Sequence, residues 1–510
     1  MSRLYKAQNN IKFGYLNTLI SLILKFSLRT VFIYSIGVTY LGVNGLFTNV
    51  LSVLSLADLG ISTALNYSLY KPVAENDIDK IKALMKVFKK AYIGIACVIT
   101  IMGIMLLPFL HIIIKDPVGI SYTELQIYYS IFLFNTVSTY FIAYKYSLVN
   151  ADQKNYIQTN FHTATIIVTS IFQVIVLLIY KSFLLYLLSA TLVELFQKFL
   201  VNAYINKKYP YLTSSSGRKL SKEELAPIKI NIKALIYHKI GTVAVHQTDN
   251  ILISSFINIT TVGIVSNYTL VITSITSFIN IIFNSIISSL GNLVATENID
   301  KQYEVFKIYR FVGFWLYGMF TISFALLLGP FISLWLGPEM IISSSVVYMI
   351  LIDYYLKGHR IVVNNFKTAA GVFNQDKYIA LTQAVVNLVL SIILVRYIGL
   401  IGIFIGTVVQ GLIATVSRPF ILYRDVFKKP GLLYYKDSLL YLIVLALPYI
   451  VLAFIQNALF KDISIINFIL FGMIDVIVIN TFFILLLRKR DEFIYLKKII
   501  KMKFLRRTYE

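Results

Sequence analysis

Lys25 and Arg29 stand four residues apart in a segment, 13–37, that carries no other charge. On a helix that spacing puts both on one face. At ~1.5 Å rise per residue, Lys25 would lie about 18 Å from either end, too deep to reach an interface easily. A charge at mid-bilayer costs ~3 kcal/mol or more, so such residues usually face a polar interior or a pathway. The chemistry a Lys–Arg face offers is charge-assisted hydrogen bonding to an anion, phosphate oxygens above all. No nucleotide-binding P-loop, HExxH or GxSxG sequence is present, and the single cysteine, Cys97, permits no disulfide and supports no Cys/His metal site.

The elements that must position these cations are membrane spans. Hydrophobic residues make up 58% of the 510-residue chain, which excludes an ordinary soluble globule. Apolar runs of ~20 residues recur about fourteen times. They begin at 13–37 and 40–66 and end at 437–457 and 463–487. The first lacks a small-residue cleavage site and is too long for a removable signal peptide. The net charge of +23 would suit nucleic acid, but its distribution does not. Basic residues gather in the N-terminal arm, the loop around Lys80–Lys90, the central loop and the tail from Arg488 to Arg507. With an even number of spans these share one side, the positive-inside pattern of two cytoplasmic termini. The tail is expected on anionic headgroups rather than on RNA. The opposite loops are short and leave no room for an extracellular domain.

The chain also reads as a duplication. Shifted by 221 positions, Leu41-Gly-Val-Asn-Gly-Leu-Phe-Thr48 falls on Val262-Gly-Ile-Val-Ser-Asn-Tyr-Thr269, and Ile78-Asp-Lys80 falls on Ile299-Asp-Lys301. One further position aligns Pro108-Phe109 with Pro330-Phe331. Six spans per copy give both copies one orientation, and transporters place substrate between such halves. The expected organisation is an N-terminal lobe (1–204), a basic cytoplasmic linker (205–232), a C-terminal lobe (233–423), two added spans (437–487) and a basic cytoplasmic tail (488–510). The offset maps Lys25 onto His246 and Arg29 onto Asn250, within the run His246-Gln-Thr-Asp249-Asn250. Such groups either pair as helix contacts or line a cavity; two clusters at equivalent depth favour the cavity. Stripes of hydroxyls and amides, Ser52 and Ser55 in span two, Thr273, Ser277 and Asn280 in span eight, suit a sugar or bind helices together. Span ten adds Asp353, Lys357, His359 and Arg360, with Arg360 or Lys357 at an inner mouth. Lys145 and Arg418 are expected to snorkel.

The stretch Leu54-Ser-Leu-Ala-Asp58-Leu-Gly-Ile-Ser-Thr-Ala-Leu-Asn66 resembles the second-span signature of bacterial polysaccharide flippases (Wzx-like), and so do Lys239-Ile-Gly-Thr242 and Thr248-Asp-Asn-Ile-Leu-Ile-Ser254. These belong to the multidrug/oligosaccharidyl-lipid/polysaccharide exporter superfamily. The resemblance implies an all-α polytopic membrane protein with a MATE-like fold: two six-helix lobes related by pseudo-twofold symmetry plus two C-terminal helices. It implies a flippase that carries undecaprenyl-diphosphate-linked oligosaccharide across the bacterial cytoplasmic membrane by alternating access, for capsule, exopolysaccharide or O-antigen. It implies a diphosphate role for Lys25 and Arg29, to which the repeat adds His246 and Asn250 and span ten adds Arg360 as candidate cavity residues. It implies no cofactor, and a proton or sodium gradient with Asp58, His246 and Asp249 as ion-coupling candidates. Polymerase and chain-length proteins would be its partners beside the lipid bilayer. A cation-coupled small-molecule exporter on the same fold is the alternative. A membrane glycosyltransferase or polymerase is disfavoured by the short outer loops.

Overall fold

In hydrocarbon a backbone N–H or C=O has no water to bond, so a spanning segment must satisfy its own polar groups. The computed structural model answers with helices alone; among the described residues there is no strand. It describes residues 3–55, 61–115, 117–212, 220–221, 223–224, 226, 248–372, 375, 377–460 and 462–507. Among the described residues ten helices are long and apolar enough to cross a membrane, which makes the chain a multi-pass membrane protein. Two more, Tyr122–Ala151 and Ser344–Ala369, are long enough but more polar, with 30 and 26 residues.

Contacts divide the chain into two units, Met1–Gly263 and Ile264–Glu510. The first holds α1 (Arg3–Ile36), α2 (Val38–Leu54), α3 (Ile61–Glu75), α4 (Ile78–Leu106), α5 (Tyr122–Ala151), α6 (Tyr156–Ile179), α7 (Phe183–Lys208), α8 (Asp249–Phe256) and the first turns of α9 (Ile259–Ser285). In this unit α1 packs on α6, α6 on α7, and α5 on α4 and α7. The second holds the rest of α9, α10 (Ile287–Thr296), α11 (Ile299–Leu336), α12 (Ser344–Ala369), α13 (Lys377–Ile398), α14 (Leu400–Leu422), α15 (Leu432–Leu459), α16 (Ile465–Leu487) and α17 (Asp491–Arg507). The expected second span is two helices, α2 and α3. Of the seventh, only α8 lies within the described residues, and the 205–232 linker is mostly outside them.

The duplication is written into the helix boundaries. α2 and α9 start at Val38 and Ile259, α4 and α11 at Ile78 and Ile299, α6 and α13 at Tyr156 and Lys377, each pair 221 positions apart. The caps repeat as well. Asp77 accepts the Lys80 backbone N–H at 3.0 Å, and Asn298 accepts that of Lys301 at 2.9 Å, each satisfying an orphan donor of a first turn. The paired prolines diverge: at Pro108 the helix tightens to a 3₁₀ turn, whereas α11 runs through Pro330.

Equivalent positions also meet. Thr39 and Thr260 share a hydroxyl–hydroxyl bond of 3.1 Å. A Cβ on Gly42 would lie 2.0 Å from the Ile259 carbonyl oxygen, and one on Gly263 would lie 2.2 Å from that of Val38. The contact is thus reciprocal, with residues 38 and 42 against 259 and 263. Only glycine lets the two backbones approach so closely.

In the second unit α17 is tied to the bundle at its start. Arg310 of α11, 2% exposed, sits 3.7 Å over the Tyr434 ring and donates to the Tyr434 carbonyl (2.7 Å) and to Ser438 Oγ (2.6 Å). Asp437 lies 3.6 Å from Arg310 and 2.7 Å from Arg490. Phe493 stacks on Trp315 one turn away.

Gly42→Val and Gly263→Val should each destabilise the protein by about 1–3 kcal/mol, because the clash is with backbone that cannot swing aside. Gly45→Ala is the control: its Cβ would meet Val262 Cγ1 at 3.7 Å and Asn250 Nδ2 at 3.9 Å, both ordinary contacts. Thermal unfolding in one detergent should show a lowered midpoint for both valine variants and an unchanged one for Gly45→Ala.

Candidate functional site

Lys25 and Arg29 lie in the second half of α1, on one face as their spacing requires. Lys25 is exposed and Arg29 half-buried. Lys25 opens into a cavity of about 530 Å³ inside the first unit, walled by α1, α5, α6 and α7. Its polar lining comprises Thr139 and Tyr146 of α5, Gln158, His162, Thr165, Thr169, Ser170 and Gln173 of α6, and Glu194, Gln197 and Lys198 of α7. Arg29 is outside that wall, within electrostatic reach of Tyr186.

The wall is held by its own bonds. Lys198 Nζ donates to Ser138 Oγ at 2.7 Å and lies 3.6 Å from Glu194, one turn back on α7. Gln197 Nε2 donates to Tyr146 OH at 3.1 Å. His162 faces Asn17 at 3.5 Å, and the same Asn17 oxygen accepts from Thr163 Oγ1 at 2.8 Å. Lys25 differs from all of these. Among the described residues it makes no hydrogen bond or ion pair, so the cavity holds one cation whose counter-charge is not supplied by the wall. Glu194 and Lys198 are the residues that sequence reasoning missed. Their signal was available, as Glu-x-x-x-Lys inside an apolar run.

The other expected residues are placed as follows. Asn250 and Asp249 are half-buried in the first turn of α8, where Asn250 Nδ2 would lie 3.9 Å from a Cβ on Gly45. His246 and Asp58 lie outside the described residues. Arg360 belongs to the second unit and is 7% exposed. Its Nη1 donates to the Gly411 carbonyl at 2.8 Å, and its Nη2 lies 3.5 Å from Asp353. Lys357 meets the same carboxylate at 2.5 Å. The charges of span ten therefore answer each other, with His359 seated between the Tyr355 and Tyr441 rings. Lys145 does not snorkel: it is buried, with its ammonium bonded to Asn202 and Asn206. Arg418 is likewise held inside, by Asn364 and Gln383.

The hydroxyl stripes resolve into a third arrangement. Thr48, Ser52 and Ser55 donate to carbonyls one turn back on α2, and Thr273 and Ser277 do so on α9, at 2.7–2.8 Å. Their donors are satisfied within the helix.

No family model and no curated protein sequence matches the chain. Solved structures do. One described as lipid II flippase MurJ, in an inward closed conformation, is similar with a TM-score of 0.65 at 16% identity, over 94% of this chain and 99% of that one. An inward-facing multidrug resistance MATE family transporter of the MOP superfamily is similar with a TM-score of 0.61 at 14% identity, over 81% and 94%. A MATE in complex with MaD3S gives 0.52 at 14%, over 81% and 93%. At these identities the likeness establishes the fold, a MurJ/MATE fold, in line with the MATE-like fold that the resemblance implies.

Asp353→Ala should strip two cations of their shared partner and lower stability by about 3–5 kcal/mol. A double variant, Asp353→Leu with Arg360→Met, should recover part of that loss in thermal unfolding. No recovery would mean that Arg360 is held by something other than Asp353.

Proposed function

We propose that this protein is a flippase for a lipid-linked saccharide whose phosphate-bearing linkage is recognised by Lys25. The observation that carries this is the uncommitted ammonium of Lys25 in a polar, membrane-embedded cavity. The neighbouring cations, buried Lys145 and half-buried Lys198, are bonded to their surroundings. An unanswered intramembrane cation is costly, and an arriving anion removes that cost. The lining supports an anion too: Lys25 and Lys198 against Glu194 leave an excess positive charge, whereas a cavity for cationic drugs favours the reverse. Gln158, Gln173, Gln197 and the threonines supply both donors and acceptors, which suits the hydroxyls of a sugar.

In this reading the anionic linkage of an undecaprenyl-diphosphate-linked oligosaccharide leaves the headgroup layer by exchanging water for charge-assisted bonds from Lys25, with Arg29 one turn on. The similar fold described as a lipid II flippase is a precedent for the architecture. The two units would alternate access, driven by a proton or sodium gradient. Asp249 is the described candidate for coupling, with Asp58 and His246 beside it in sequence logic. The setting is the bacterial cytoplasmic membrane with both termini in the cytoplasm, where the basic residues gather. Partners would be the polymerase and chain-length proteins of a surface-polysaccharide pathway.

Replacing Lys25 and Arg29 together by Ala should abolish surface polysaccharide while the protein still inserts at normal abundance. Loss of one charged hydrogen bond, ~1.5–3 kcal/mol, corresponds to about a ten- to hundredfold fall in transport for Lys25→Ala alone. Lys25→Arg should retain most of it. Normal polymer in the double variant at matched expression would refute the assignment.

A further inference from the structure

Asp475 lies near the middle of α16, about 15 Å from either end. Its side chain is fully buried, at 0% exposure. One carboxyl oxygen is 2.5 Å from Ser323 Oγ of α11, and the other has no hydrogen-bond partner. The neighbours one turn away on its own helix, Phe471 and Ile479, are buried and apolar, as are Ile322 and Leu326 beside the serine. No cation answers it among the described residues. Titratable groups of the helices packed on α16 are engaged with other partners. On α11, Arg310 is bound to Tyr434, Ser438 and Asp437, and Tyr317 to Asn280; on α15, Asp437 holds Arg490, Tyr441 stacks on Phe314, and Tyr449 bonds Tyr348.

An ionised carboxylate here would be a buried charge with one neutral donor, and a buried group in that position takes a proton instead. We propose that Asp475 is a proton-binding site: the side chain is carried as the neutral acid, and that proton keeps α16 seated on α11. The acid, unlike the carboxylate, can donate to Ser323, so the short contact becomes a bond in which either oxygen supplies the hydrogen. The site lies on one of the two helices outside the sequence repeat and is independent of the Lys25 cavity.

Infrared spectra of the full-length protein in lipid, with isotopically labelled aspartate, test this. A protonated-carboxyl band should be present at neutral pH in the wild type and missing in Asp475→Asn. A spectrum with carboxylate only would overturn the proposal, and this needs no variant to fold. Raising the pH from about 6 to about 9 should lower the unfolding midpoint of the wild type more than that of Asp475→Asn, because ionisation then competes with the seated state. Equal slopes would likewise overturn it.

Discussion

A charge inside hydrocarbon must be answered, and that requirement organises most of what is polar in this molecule. Arg310 is answered by Asp437 and the Tyr434 ring, Arg360 and Lys357 by Asp353, Lys145 by two asparagines, and Lys198 by Ser138 and Glu194. Those of Arg310, Lys145 and Lys198 with Ser138 cross between helices, so they also set which helices pack together; Asp353 answers its two cations within α12. Against that background Lys25 is conspicuous because, among the described residues, nothing in its wall balances it. The functional reading rests on that contrast rather than on the presence of a basic residue alone.

Much of the fold was legible because helix boundaries are local chemistry. Asp77 and Asn298 stand just before their helices and cap them, and the 221-residue offset recovered from scattered matches reappears as three pairs of equal helix starts. The Gly42 and Gly263 pair lay within the aligned motif, but their reciprocal contact did not follow from it. Sequence identifies a small residue and cannot say which backbone approaches it. The paired prolines show the opposite limit, since one motif gives a 3₁₀ turn at Pro108 and an unbroken helix at Pro330.

The candidate site was legible only in part. The spacing of Lys25 and Arg29 predicted a shared face, and Lys25 does open into a cavity. That cavity lies inside the first unit, and its remaining wall comes from α5, α6 and α7, which no short motif marks. Arg360 and Lys145 stood out in the sequence as charges within apolar segments. Their partners, Asp353 two helix turns away and two asparagines on another helix, decide what they do. Glu194 and Lys198 were overlooked because a Glu–Lys pair four residues apart reads as an ordinary surface ion pair until burial is known.

The central claim is that Lys25 is an intramembrane cation awaiting an anion. Calorimetric titration of the purified protein with a short-chain polyprenyl diphosphate tests it most directly, with the wild type compared against Lys25→Met. The account predicts saturable binding that the variant loses by at least about tenfold, the equivalent of one charge-assisted bond. Equal affinity in the two proteins would contradict it.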